Sequence, residues 1–153
     1  MQWGGNLTPS IITFVLKNDY TLNVDAAWTR YKIPLDEQET IIGSNDFIIS
    51  NGSILVNSNN VHYVKLSGNL NIWQGPNTQE VMLHIIIYRN NELVFQKTAD
   101  SQKNGLCSLS ISPAIRDVRQ GDKIEMYYEA GTAGTYIFIG RKTHTFLTVE
   151  KIY

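Results

Sequence analysis

The sequence holds a single cysteine, Cys107, so an intramolecular disulfide is excluded and the fold must be held by packing alone. Long apolar runs are also missing. The run from Ile11 to Leu16 is interrupted by Thr13 and is far too short to span a bilayer. The first residues lack the basic stretch of a signal peptide. We therefore expect assembly in a reducing cytosol, no membrane partner, and a core position for Cys107.

The sequence also lacks an excess of either charge, since it has 13 lysine and arginine residues and 14 aspartate and glutamate residues. The basic residues are scattered along the chain rather than clustered, which argues against a nucleic-acid partner. Charged residues make up only 18% of the sequence, a low share for a soluble monomer. This deficit indicates that part of the surface is covered by a partner subunit.

Short β segments separated by Gly, Asn and Asp fill most of the chain. Asn51-Gly52 lies between the two apolar runs of FIISNGSILV and predicts a hairpin with a type I′ turn. A second hairpin is predicted with Asn90-Asn91 at its tip. Its first arm, Val81 to Tyr88, is almost wholly apolar, which is typical of a central strand buried on both faces.

The segment LCSLSISPAI alternates cleanly, with Cys107, Leu109 and Ile111 on one side, and Pro113 is expected to end or bulge it. The sole helix candidate, SPAIRDVRQ, is short. Eight or more strands are indicated in about 125 residues, which predicts an all-β antiparallel sandwich or barrel. We expect one domain at 28–153, preceded by an N-terminal arm or lead-in strand at 1–27.

Three carboxylates stand close together in RQGDKIEMYYEAG, namely Asp122, Glu125 and Glu129. Gly121 and Asp122 suit a tight turn that leads into a strand, with Asp122 capping the turn amides. On that strand Glu125 and Glu129 share a face, but four residues of ideal rise separate their Cα atoms by roughly 13 Å. Glycosidase carboxyl groups lie only about 5 to 9.5 Å apart. We therefore predict a structural turn and strand here rather than acid–base catalysis.

The histidines, His62, His84 and His144, are not at metal-ligand spacing, and we predict no metal and no cofactor. The sequence has no nucleophile elbow, phosphate-binding loop or dinucleotide fingerprint, so we predict no catalytic residues and no enzymatic activity. An enzyme would require one of these histidines to meet a carboxylate from a distant strand in one pocket. That alternative stays open at this point.

A tryptophan ends an apolar strand in NIWQGPNTQE and is followed by amide side chains. Trp73 could stack on a sugar ring while Gln74 and Asn77 bind its hydroxyl groups, which predicts a ligand site. The alternative is that Trp73 only closes the end of the sandwich.

The order of these segments resembles a known family. FIISNGSILV precedes VHYVKLSGNL, and HIIIYRNNELV, VRQGDKIEM and HTFLTVEKI follow. In this order they resemble the trimeric jelly rolls of the complement-q globular head and tumour necrosis factor type. The resemblance covers Trp28 to Ile152, and GDKIEM and TFLTVEKI are its most specific parts. It implies an antiparallel jelly-roll β-sandwich that forms a homotrimer and binds ligands on exposed loops or between protomers.

Alignment with the axial strands of that family implies that Leu66, Ile111 and Phe146 lie near a three-fold axis. The sequence departs from the secreted members, because it has no secretion signal, collagen-like lead or acidic calcium cluster. It is therefore similar to the head domains of bacteriophage fibres, baseplates and capsid decorations. The resemblance implies a non-catalytic structural or receptor-binding module at the virion surface, assembled in the host cytoplasm, that binds host-surface carbohydrate or another virion protein. The alternative is a bacterial carbohydrate-binding or adhesion module of the same fold.

Overall fold

The computed structural model describes residues 9–43, 45–74, 79–103 and 105–153, and the regular structure in these ranges is entirely β. The strands in chain order are β1 (Ile11–Val15), β2 (Tyr20–Val24), β3 (Tyr31–Lys32), β4 (Glu37–Ile42), β5 (Phe47–Ser50), β6 (Ser53–Val56), β7 (Tyr63–Trp73), β8 (Gln79–Arg89), β9 (Glu92–Lys103), β10 (Leu106–Asp117), β11 (Lys123–Ala130), β12 (Gly134–Phe138) and β13 (Phe146–Lys151).

The strands form two sheets packed face to face. The first sheet has the order β2-β12-β7-β13-β1-β4. Strands β12 and β13 pair with different parts of one edge of β7, and β10 pairs with its opposite edge. The second sheet has the order β5-β6-β11-β8-β9, and β3 also pairs with β11. The pairings are antiparallel. The predicted all-β antiparallel jelly-roll sandwich is confirmed.

Alternation along each strand places the core between the two sheets. On β7, Val64, Leu66, Leu70 and Ile72 point inward and are fully buried, while Tyr63 and the other alternate residues point outward. Strand β8 lies between β11 and β9, and it buries residues on both of its faces, as its apolar sequence predicts. The inward set includes Cys107, which is buried among the core residues as expected.

Both predicted hairpins form with the predicted turns. Asn51 and Gly52 have φ values of 49° and 74°, the left-handed conformation that a type I′ turn requires at both central positions. Asn90 and Asn91, at the tip of the β8–β9 hairpin, have φ values of 52° and 64°. Asparagine tolerates this conformation better than other non-glycine residues, which explains its use at both turns.

The predicted helix in SPAIRDVRQ is wrong. Strand β10 continues to Asp117, and its register against β7 shifts between Ile111 and Ala114, at Pro113. The proline thus causes the predicted bulge but does not end the strand. Beyond the bulge, Ala114 to Asp117 recover ladder hydrogen bonds to β7, which a helix too short to be stable alone cannot match.

Strands β1 and β2, which precede Trp28, belong to the same sandwich as the rest of the chain. Strand β1 lies between β13 and β4, and Ile12 and Phe14 point into the core. The described part of residues 1–27 therefore supplies strands of the first sheet.

Candidate functional site

Three neighbouring strands of the first sheet, β7, β13 and β1, present a broad outward surface that we call the outer face. It consists of the outward-pointing residues Ile11, Thr13, Tyr63, Lys65, Ser67, Asn69, Asn71, Trp73, Phe146, Thr148 and Glu150. The charged members are Lys65 and Glu150, which lie opposite each other in register. The outer face is therefore poor in charge and has no net charge.

The polar side chains of the outer face bind one another. Asn69 lies at its centre, where its amide group donates to the carbonyl oxygen of His144 and to Asn71 Oδ1 at 3.2 Å. Asn69 Oδ1 accepts hydrogen bonds from Ser108 at 3.2 Å and from Ser110 at 2.5 Å. Both donors and both acceptor sites of this amide are thereby occupied within one chain. Water is not needed to satisfy it.

Two further pairs of side chains on or beside the outer face also satisfy each other within one chain. Asn71 Nδ2 lies 2.8 Å from His144 Nδ1, and Thr13 Oγ1 lies 3.2 Å from Thr148 Oγ1. Burying a polar group costs free energy mainly when the group is left without a partner. The amides and threonine hydroxyls of the outer face are already paired in this way, so covering these groups with another protein surface would cost little.

The structure separates the three residues that the resemblance places near a three-fold axis. Phe146 lies on the outer face, half-buried, opposite Asn69 and Val15. Leu66 and Ile111 instead point into the sandwich core and are 0% and 4% exposed. Their placement at an interface is wrong, because these side chains have no surface left for a second chain to cover. Because side chains alternate along a strand, the residues next to Leu66 and Ile111 in sequence lie on the opposite face of β7 and β10.

Trp73 ends β7 with its side chain 45% exposed, next to its cross-strand partner Leu106, which is also exposed. The neighbouring Gln74 is only 3% exposed, and within the described ranges neither polar atom of its side chain has a hydrogen-bond partner. Gln74 is therefore not beside Trp73 at the surface. Asn77 lies outside the described residues. Of the predicted ligand site, the exposed tryptophan alone is present in the described ranges.

Asp122 caps its turn as predicted and also forms an ion pair. Its Oδ2 accepts from the Arg119 amide at 2.9 Å, while Oδ1 and Oδ2 accept from Arg89 Nε and Nη2 at 3.0 and 2.9 Å. This bidentate geometry is the strong form of an arginine–carboxylate pair. The pair connects the turn before β11 to the end of β8.

Glu125 is held on the outward side of β11 by three neighbours. Ser53 donates a short hydrogen bond to it, and Lys32 Nζ and the Tyr127 hydroxyl donate at 2.8 Å each. Burial alone would raise the pKa of Glu125, but the hydrogen bonds outweigh burial and lower the pKa below its usual value. The carboxylate therefore stays charged and paired at neutral pH, as a structural group does.

Glu129, on the same face, meets one of the three histidines. Its Oε1 lies 2.6 Å from His84 Nε2 and 2.8 Å from Arg30 Nε, and His84 Nδ1 lies 2.7 Å from Thr98 Oγ1. Burial lowers the pKa of His84 more than Glu129 raises it, so the imidazole is neutral at pH 7. His84 is 1% exposed, which leaves it no contact with a substrate in solution.

The other two histidines lie elsewhere. His144 bonds to Asn71, and the His62 ring lies 6.0 Å from the Tyr153 ring. Across the described ranges, no three His, Cys, Asp or Glu side chains gather as they would around a metal ion. The same residues include no helix of the length and apolar character needed to cross a membrane. Among the described residues, the contact between His84 and Glu129 is thus the one between a histidine and a carboxylate, and it belongs to a buried hydrogen-bond network.

Sequence reasoning missed a polar cleft between loops at one end of the sandwich. It is lined by Asn45, Asp46, Asn57, Ser58, Asn59, Asn60 and Gln120. The run NSNN at residues 57–60 was the available signal, but on its own it indicates only a turn. The other lining residues come from distant parts of the sequence.

No protein-family model matches the sequence, and no curated protein matches it. Solved structures do match. Murine APRIL crystallised at pH 5.0 has a TM-score of 0.70 and 14% identity, covering 94% of this chain and 99% of that chain. The same protein at pH 8.5 has a TM-score of 0.68 over the same shares at 14% identity. Eiger TNF from S. frugiperda has a TM-score of 0.64 and 12% identity, covering 96% of this chain and 94% of that chain. At these identities the likeness concerns the fold, which is a TNF-like jelly roll.

Proposed function

We propose that this chain is a non-catalytic binding module that works as a homotrimer, with the outer face of the first sheet buried between protomers. The observation that carries this proposal is the internal pairing of the polar groups on that face, centred on Asn69. A face exposed to water for its whole lifetime has no need to satisfy its own amides, whereas a buried interface does.

The low charge of the outer face and its aromatic side chain support the same proposal. The outer face carries one opposed pair of charges, Lys65 and Glu150, and interface centres are depleted in charge in the same way. Phe146 lies in the middle of the face and supplies the aromatic anchor that such interfaces favour. The low charge content of the sequence, at 18%, agrees with a partner subunit of the same chain.

The proposed setting is the surface of a bacteriophage virion, where the trimer would bind host-surface carbohydrate or another virion protein. This finer proposal is supported by the resemblance described above and by the exposed indole of Trp73, which offers a stacking surface to a sugar ring. The alternative, a bacterial carbohydrate-binding or adhesion module, uses the same indole.

The assembly is tested by light scattering on a sizing column, with the protein diluted over a hundredfold range. We expect a mass of three protomers that persists on dilution. Phe146→Lys places a charge at the centre of the outer face and should yield folded monomers. The matched control is Leu93→Lys, which changes an exposed leucine on β9 of the other sheet and should remain trimeric. A wild-type monomer, or a trimeric Phe146→Lys protein, would overturn the proposal.

The role of Trp73 is tested separately by binding to a panel of immobilised bacterial surface glycans. Trp73→Ala should abolish the binding of any glycan that stacks on the indole. Its cross-strand partner supplies the control, because Leu106→Ala removes a neighbouring exposed side chain and leaves the indole in place. Unchanged binding by the Trp73→Ala protein would exclude this site.

A further inference from the structure

The polar cleft at the end of the sandwich is large enough to hold a small ligand. It is a cleft open to solvent with a volume of about 420 Å³, within the size range of small-molecule sites, and its lining residues are all polar. Four of them are asparagines, and a glutamine, a serine and Asp46 complete the set. They come from three loops, at residues 45–46, 57–60 and 120, and all belong to one chain.

Hydrogen bonds between the loops fix the shape of the cleft. The backbone N–H of Asn57 donates to the carbonyl oxygen of Asp46 at 2.8 Å. The side-chain Nδ2 of Asn57 donates to the carbonyl oxygen of Asn45 at 3.0 Å. On the other side, Gln120 Nε2 donates to the carbonyl oxygen of Asn57 at 3.2 Å. The 119–122 turn that carries Gln120 is anchored in turn by Asp122. The cleft is therefore formed before any ligand arrives.

Several amides of the cleft remain free to bind. Within the described part of the chain, the side chains of Asn45, Asn59 and Asn60 have no hydrogen-bond partner. Each amide offers two donors and an acceptor, side by side. Adjacent hydroxyl groups on a sugar ring also donate and accept side by side, so the two patterns are complementary.

The charge of the cleft narrows the class of ligand. Among the described residues that line it, Asp46 alone is charged. Asp46 is 4% exposed, and its Oδ2 accepts from the Ser10 hydroxyl at 2.6 Å and lies 3.5 Å from Lys151 Nζ. This pairing leaves no net charge to attract a phosphate or a polycation. One carboxylate, already paired, also falls short of the several oxygen ligands that calcium requires.

We propose that this cleft binds a neutral saccharide through the side-chain amides of Asn45, Asn59 and Asn60. The site lies within one protomer, so it deepens the proposed binding function without depending on trimer assembly. It is also distinct from Trp73, which ends β7 in the first sheet and does not line the cleft.

The test is saturation-transfer NMR with the methyl glycosides of glucose, galactose, mannose and N-acetylglucosamine at millimolar concentration. We expect at least one glycoside to bind. Asn59→Ala and Asn60→Ala, at exposed loop positions, should each weaken that binding by up to about tenfold, the effect of losing one or two hydrogen bonds. Asn18→Ala, an exposed asparagine outside the cleft, is the matched control and should bind like the wild type.

The outcomes separate this site from the assembly and from Trp73. Binding by a protein that light scattering shows to be monomeric supports the cleft and refutes only the trimer. A trimer that binds none of the four glycosides overturns the cleft proposal. Binding that survives both asparagine variants but is lost in Trp73→Ala assigns the sugar to the tryptophan and also overturns it.

Discussion

Removing either partner of the ion pair between Arg89 and Asp122 should destabilise the protein. The loss in the free energy of unfolding should be larger when Arg89 is removed than when Asp122 is removed. Asp122 is almost fully buried, with a side chain 1% exposed, whereas the Arg89 side chain is 21% exposed. Arg89→Ala leaves the Asp122 carboxylate buried without its ion-pair partner, and its remaining hydrogen bond comes from the backbone amide of Arg119. Asp122→Ala leaves an arginine that can turn toward water.

The magnitudes follow from this asymmetry. Breaking a buried ion pair from one side costs about 3 to 5 kcal/mol when the remaining charge stays buried, and we expect about 4 kcal/mol for Arg89→Ala. For Asp122→Ala we expect about 2 to 3 kcal/mol, because the lost hydrogen bonds are charge-assisted but the remaining charge is hydrated. The double variant leaves no unpaired charge, so its loss should fall well below the sum of the two.

Urea unfolding followed by tryptophan fluorescence measures all three values. The midpoints should shift while the slope with denaturant stays constant, because the surface exposed on unfolding is unchanged. Asp100→Ala, which removes an exposed carboxylate from β9, should change the stability by less than about 0.5 kcal/mol. Additive losses in the double variant, or a greater loss for Asp122→Ala than for Arg89→Ala, would refute this account of the pair.

Three further perturbations test other features. Gly68→Ala should cost about 1 to 3 kcal/mol in urea unfolding, because its Cβ would lie 2.7 Å from Met126 Sδ, and it should cost less in a Met126→Ala background. Burial lowers the pKa of His84 from 6.5, so the unfolded chain binds a proton first as the pH falls. The contribution of neutral His84 to the stability of the folded protein is complete above pH 6.5 and is lost as the pH falls toward the pKa of His84 in the folded protein. In thermal melts over that pH window, His84→Gln should therefore lose less stability than the wild type. Asn51→Ala should lower stability by about 1 kcal/mol because φ is 49°, and Asn51→Gly should cost less; equal losses would exclude backbone strain as the cause.

Local patterns predicted much of the fold. Alternation assigned the two faces of β7 and β11, and the asparagine turns located two hairpins, because these signals depend on residues close in sequence. The helix expected around Pro113 failed because its alternative, pairing with β7, joins residues about fifty positions apart. A short segment of weak propensity takes the structure that its distant neighbours impose.

The candidate site was less predictable for the same reason. The capping role of Asp122 follows from its turn, but its partner Arg89 lies on another strand and leaves no local signal. An exposed Trp73 could be anticipated at a strand end, whereas the burial of Gln74 could not. The cleft combines loops at residues 45–46, 57–60 and 120, and their proximity arises only when both sheets are in place.

The position of β13 has a consequence for synthesis. This strand follows the other described strands in the sequence, yet it lies in the interior of the first sheet, where it pairs with β7 on one side and β1 on the other. Until it leaves the ribosome, the facing edges of β7 and β1 are unpaired, which is the condition in which nascent chains pair wrongly or aggregate. Insertion of β13 also delivers Phe146 to the outer face. A chain interrupted before this strand would lack both the closed sheet and the surface proposed for assembly, so incomplete products would be excluded from the proposed trimer.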